Sequence, residues 1–179
     1  PKGNPLKAGD HNRRFFEAEV KRLHTKRNYP LAILVGDING LKVINDSFGH
    51  MVGDELIVAA GKVLQKVFRS DDIIARIGGD EFVVLLPKTS QIEAEDLIER
   101  IVSELHDTFV RNVKLSISFG SGVINSKTDT YDKTFIDAEN IIYKNKMIDS
   151  PSVRGMAIDT ILNTLFEKDY KTKEHSENV

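Results

Sequence analysis

Ile73-Ile74-Ala75-Arg76-Ile77-Gly78-Gly79-Asp80-Glu81-Phe82-Val83-Val84-Leu85-Leu86 sets five residues, Gly78 to Phe82, between two apolar runs. That order predicts a buried hairpin with a flexible acidic tip. Adjacent glycines allow positive φ or a close approach of backbone to ligand, and the neighbouring carboxylates offer oxygen to a hard cation. Glycine with paired acid points to phosphate and magnesium. An ordinary Gly-Asp turn with a solvated Glu is the bland reading of the same five residues.

Upstream, Leu56, Ile57, Ala60, Leu64, Val67 and Phe68 form a helical stripe, and Leu41 to Phe48 reads as a short helix stopped by Gly49. Before them, Leu31-Ala32-Ile33-Leu34-Val35 is a β-type run closed by Gly36-Asp37, and Phe16, Val20 and Leu23 recur at helical spacing. Downstream, Ser90 and Glu93 have capping-box spacing ahead of a face made by Ala94, Leu97, Ile98, Ile101, Val102 and Leu105. Val113, Leu115, Ile117 and Phe119 alternate with polar residues as one strand, and Phe135, Ala138 and Ile142 suggest a further helix. The whole predicts an α/β (α+β) domain with a central mixed or antiparallel sheet of about four to five strands and flanking helices. After Ser150-Pro151, a separate stripe of Ile158, Ile161, Leu162, Leu165 and Phe166 reads as a C-terminal helical extension.

The chain has 179 residues and a formal net charge of −2, enough for one sizeable core and without a global pull toward nucleic acid or anionic membrane. Binding must come from a local site. It has no cysteine, which excludes disulfides and thiolate metal sites and fits a reducing, cytoplasmic setting. No apolar run reaches membrane-spanning length, which leaves room for an anchor elsewhere in a longer parent.

Asp37, directly beyond the first strand, is expected to share a cleft with Asp80 and Glu81, so that three acids converge on a divalent ion suited to nucleotidyl transfer. Lys42 and Arg76 supply cations near the same sheet end, and Asn45 with Asp54 offers groups that read a base edge. Taken singly, Lys42 and Asp54 are as well read as solvated helix charges, Asn45 as a helix-end cap and Arg76 as an edge-strand ion pair.

Their joint order carries more. Asp37-Ile38-Asn39-Gly40-Leu41-Lys42-Val43-Ile44-Asn45-Asp46-Ser47-Phe48-Gly49-His50, then Gly53-Asp54, then Gly78 to Phe82, resembles the GGDEF family of diguanylate cyclases over roughly residues 12–146. The resemblance implies a palm-like nucleotidyl cyclase fold in which two GTP-loaded subunits form a homodimer and condense GTP into cyclic di-guanylate. It makes Asp37, Glu81 and the Ile38 carbonyl ligands of Mg2+, with Mn2+ as an alternative, and Asp80 a further ligand or general base. Asn45 and Asp54 would read guanine. Lys42, Lys146 and the Gly78-Gly79 backbone would hold the triphosphate, and Arg76 would support the dimer or the nucleotide. Arg69 and Asp72, the latter separated from Gly78 by five residues, match the family's inhibitory product site, to which Arg100 would add a second arginine.

The chain departs from the family pattern at both ends. Pro5-Leu6-Lys7-Ala8-Gly9-Asp10 replaces the usual Asp-x-Leu-Thr-Gly-Leu, and Met147-Ile148-Asp149-Ser150 stands where Gly-Arg-Asn commonly supplies a phosphate-binding arginine. Leu165 to Tyr170, with Thr172, Glu174, His175, Ser176 and Val179, resembles the junction to an HD-GYP phosphohydrolase domain. The expected division is an opening segment over 1–11, a cyclase domain over 12–149, and a helical linker over 150–179 toward a missing C-terminal phosphohydrolase domain, with a missing sensor domain upstream. Two further readings compete with the cyclase. One is a catalytically weak module that binds GTP or cyclic di-guanylate and controls the C-terminal domain; the other is a scaffold that dimerises through its terminal helix.

Overall fold

A computed structural model describes residues 10–147. The expectations for 1–9 and for the 150–179 extension, including the HD-GYP-like junction, lie outside the described residues. Helix α1 (Asp10–Leu23) leads to strand β1 (Leu31–Ile38), helices α2 (Leu41–Phe48) and α3 (His50–Val67), and the hairpin β2 (Ile73–Arg76) and β3 (Glu81–Leu86). Helix α4 (Gln91–His106), a small hairpin β4 (Phe109–Val110) and β5 (Val113–Lys114), strand β6 (Ile117–Ile124) and helix α5 over 131–147 complete the order.

The central sheet has four strands in the order β2-β3-β1-β6, and every pairing is antiparallel. β1 lies inside it, which is why its sequence is apolar on both faces: Leu31, Ala32, Ile33 and Leu34 are all fully buried. Its even-numbered residues Ala32 and Leu34 join Phe82, Val84 and Leu86 under α3 and α4, while Leu31, Ile33 and Val35 pack with Val83 and Leu85 beneath α1 and α5. Each such aliphatic side chain contributes about 1.5–3 kcal/mol by leaving water. The Ser90–Glu93 capping box begins α4 as expected, with both reciprocal bonds formed.

Two strand expectations need correction. Gly36-Asp37 does not close β1, which continues to Ile38, because Asp37 and Ile38 still find partners on both neighbouring strands. The alternating run from Val113 to Phe119 is two strands: Val113–Lys114 pairs back onto Phe109–Val110, and β6 starts afresh at Ile117. Beyond Phe119, β6 runs on through Gly120-Ser121-Gly122, a stretch too small and polar to signal a strand. Those glycines admit α5, since a Cβ at Gly120 would sit 2.0 Å from the Ala138 carbonyl. α5 is thereby brought close enough for its far end to reach β1.

Candidate active site

The pleat of the sheet assembles the acidic end. Asp37 of β1 is the direct cross-strand partner of Glu81 of β3, so both carboxylates leave the same face, the one covered by α1 and α5. From α5, the Lys146 ammonium ion-pairs with Asp37. Partial burial raises the Asp37 pKa, opposed by Lys146 and reinforced by Asp80. Burial also raises Glu81, with Glu139 adding to the effect, Arg13 opposing it, and Asp37 and Asp80 adding further. Two half-buried carboxylates whose charges are mutually unfavourable form a site that attracts positive charge.

Asp80 does not join them as a third equal. It precedes β3, in the bend after Gly78-Gly79, and its charge acts on Arg76, together with that of Asp54, as well as on Asp37 and Glu81. Among the described residues no three carboxylate or histidine side chains are gathered closely enough to hold a metal ion by themselves. The expected convergence of three acids is thus a cross-strand pair with a flanking charge. The Asp80 main chain does continue the ladder, its carbonyl accepting from the Ile38 N–H at 2.9 Å.

Among the described residues Arg76 forms no ion pair. Its Nε donates to the Gly78 and Gly79 carbonyls, both at 3.2 Å, and Nη2 donates to Gly79 at 2.9 Å. Lys42 is exposed on the first turn of α2 and, among the described residues, forms no ion pair with the acidic cluster.

Asn45 is fixed by what is missing from its neighbour. Its side chain fills the space above Gly53, where a Cβ would come within 1.9 Å of Oδ1, and that Oδ1 is buried without a hydrogen-bond partner. Asp54, the next residue, is exposed beside it. Gly53→Ala is therefore expected to destabilise the fold by about 1–3 kcal/mol through overpacking. Melting curves test this, and a wild-type transition would mean that Asn45 is not packed against Gly53.

A second concavity of about 200 Å³ lies at the open end of the β2–β3 hairpin. Arg69, Asp72 and Arg100, which the sequence grouped, all line it, together with Lys88, Glu93 and Asp96, which it did not. Asp72 Oδ2 accepts from the Arg69 main-chain N–H at 2.8 Å. Burial raises the Asp72 pKa, Arg69 opposes the rise, and Asp71 adds to it.

Comparison with known proteins supplies the family. Residues 9–150 match the diguanylate cyclase GGDEF domain. The chain belongs to the GGDEF family. It is 34% identical to diguanylate cyclase DosC of Escherichia coli K12 over 140 residues, which is 74% of this chain and 30% of DosC. Among solved structures, the GGDEF domain of Pseudomonas aeruginosa PA1120 is 30% identical with a TM-score of 0.67, over 75% of this chain and 89% of that one. A microbial GGDEF domain described for its interaction with bis-(3,5)-cyclic di-GMP is 28% identical with a TM-score of 0.64, over 75% and 84%. These GGDEF structures share the α/β architecture and antiparallel sheet described above.

Some of the GGDEF site was not legible in its motif. Asn39 donates to Ser116 Oγ and accepts from Ser118 Oγ, each at 2.9 Å, tying the loop after β1 to the start of β6. Arg13 and Glu139 set the field at Glu81 from α1 and α5. Glu139 stands seven residues before Lys146, two turns along one helical face, which was the available signal.

Proposed function

We propose that this domain is a diguanylate cyclase that uses Mg2+, with Mn2+ as a substitute, works as a homodimer, and is inhibited by its product. The observation that carries the proposal is the Asp37–Glu81 cross-strand pair beside the Gly78-Gly79 turn. Mg2+ is commonly held by one or two carboxylates with the remaining positions left to water and substrate phosphate, so this pair fits it without an all-protein cage. Asp37, Glu81 and the Ile38 carbonyl would hold the ion, which supplies a Lewis acid for the phosphates and lowers the pKa of a nearby hydroxyl.

The chain's own groups account for the rest. Lys146 neutralises Asp37 until nucleotide arrives and offers its charge to the triphosphate. Asp54, exposed beside Gly53, accepts from the donors on the guanine edge, and Asn45, whose side chain packs against Gly53, completes the base-reading pair. In each half-reaction the 3′-oxygen of one GTP bonds to the α-phosphorus of the other and the bond to the β-phosphate oxygen breaks. Pyrophosphate leaves, and the hydroxyl proton passes to Asp80 or to water. Two GTP yield one cyclic di-guanylate and two pyrophosphates, and the reciprocal attack of each nucleotide on the other suits two such sites that face each other. The cavity around Arg69, Asp72 and Arg100 is the proposed product site. The chain spans 30% of DosC, so neighbouring sensor and phosphohydrolase domains belong to the same proposal. Among the described residues no helix is long and apolar enough to cross a membrane. A cytoplasmic location belongs to the same proposal.

Mass spectrometry of products formed from GTP and Mg2+ over a range of protein concentrations tests the reading, with bound nucleotide first removed. Cyclic di-guanylate should form with a specific activity that rises with concentration. Nucleotide binding without any product would favour the regulatory module instead.

A further inference from the structure

The observation left unused by this function is that Arg76 spends its guanidinium on the turn beside it. Three hydrogen bonds reach the Gly78 and Gly79 carbonyls. A trans peptide directs its C=O and the following N–H to opposite sides. Fixing those two carbonyls toward Arg76 therefore fixes the Gly79 and Asp80 N–H groups away from it. The Asp80 carbonyl accepts from the Ile38 N–H, so the side away from Arg76 is the β1 side, where Asp37 lies. Among the described residues neither the Gly79 nor the Asp80 N–H has a hydrogen-bond acceptor. Consecutive unpaired N–H groups at a glycine turn make a concavity suited to phosphate oxygens.

We infer that Arg76 is a positioning residue: it clamps the Gly78-Gly79 turn so that the Gly79 and Asp80 N–H groups face a nucleotide phosphate, and does not itself contact the nucleotide. The inference rests on the reading of the acidic end as a GTP site. Two glycines in succession give the turn many accessible conformations, and a guanidinium fork that spans both carbonyls selects one of them. An ammonium lacks the planar fork and cannot hold both carbonyls in the same way. The clamp acts on phosphate and not on base, which separates it from Asn45 and Asp54.

Titration of wild type, Arg76→Ala and Arg76→Lys with GTP and with guanosine, each with Mg2+ and followed by amide and carbonyl NMR, tests the clamp. In the nucleotide-free protein, Arg76→Ala should move the Gly78 and Gly79 carbonyl resonances. GTP should shift the Gly79 and Asp80 amides of wild type. It should bind Arg76→Ala about tenfold more weakly, as loss of charge-assisted hydrogen bonds predicts, and Arg76→Lys should recover only part of that loss. Guanosine affinity should not change. Unmoved turn carbonyls in Arg76→Ala, or equal losses for GTP and guanosine, would overturn the clamp. Should wild type bind neither ligand, the nucleotide-site reading fails, and with it the assignment of the two N–H groups to phosphate, even if the carbonyl shifts show Arg76 holding the turn.

Discussion

Glu81→Gln is expected to lower the formation of cyclic di-guanylate by about 10³-fold or more while leaving the fold intact. Glutamine keeps the volume and one oxygen but removes the charge that, with Asp37, would hold the cation. Electrostatic stabilisation by a catalytic ion is worth several kcal/mol, and about 4 kcal/mol corresponds to the stated factor. The same change should slightly raise the melting temperature of the nucleotide-free protein at neutral pH. Burial disfavours the Glu81 anion, and Glu139, Asp37 and Asp80 add to that cost against Arg13. A carboxyl whose folded pKa lies above its unfolded value destabilises the fold increasingly as pH rises through that interval. The advantage of glutamine is therefore complete above the folded pKa of Glu81 and closes below its unfolded pKa, about 4.3. Product assays and melting curves at neutral and acid pH read the two effects separately. Retained turnover would remove Glu81 from the metal site, and a lower melting temperature at neutral pH would mean that its charge is compensated in the fold.

That prediction depends on a geometry only partly legible in the sequence. The apolar runs on either side of Gly78 to Phe82 marked the hairpin, because short apolar runs and the glycines between them are local signals. The partnership of Asp37 with Glu81 is a matter of register between strands 44 positions apart, set by the burial of Val35 and Val83 on one face and of Leu34 and Val84 on the other. Placing Asp37 beyond the strand blurred this, since only within the ladder does its parity match that of Glu81. The contacts of Arg76 were hidden for another reason: its partners are main-chain carbonyls, which every residue possesses and no sequence pattern marks. Asn39 depends on Ser116 and Ser118, visible only once β6 has been laid beside β1. The second cavity was legible as Arg69 and Asp72, three residues apart. Lys88 and Asp96 enter it only because the hairpin and α4 fold back.

Arg69→Ala is expected to raise the cyclic di-guanylate concentration needed for half-inhibition by about 10- to 100-fold, with uninhibited turnover kept within about twofold. The magnitude is that of one or two charge-assisted hydrogen bonds from a guanidinium fork to guanine or phosphate. Independence from turnover follows from topology. Arg69 and Asp72 precede β2, Lys88 and Thr89 follow β3, and Gly78-Gly79 joins the two strands at their other end. Four strand residues and their flanks separate the two sites by roughly 15–20 Å. Arg69 is also a cleaner position to change than Asp72. The Asp72 carboxylate is held by the main-chain N–H of residue 69, a bond that alanine retains, so the variant removes the guanidinium without releasing its neighbour. Asp72→Ala would instead free that N–H and alter the turn. Asp72 is half-buried with a raised pKa, and the paired N–H donors of a guanine edge are the kind of partner that offsets the cost of its charge. Inhibition curves for wild type and Arg69→Ala decide the matter. Identical half-inhibition with normal turnover would show that product acts elsewhere, whereas a parallel loss of turnover would show that the two ends of the hairpin are coupled.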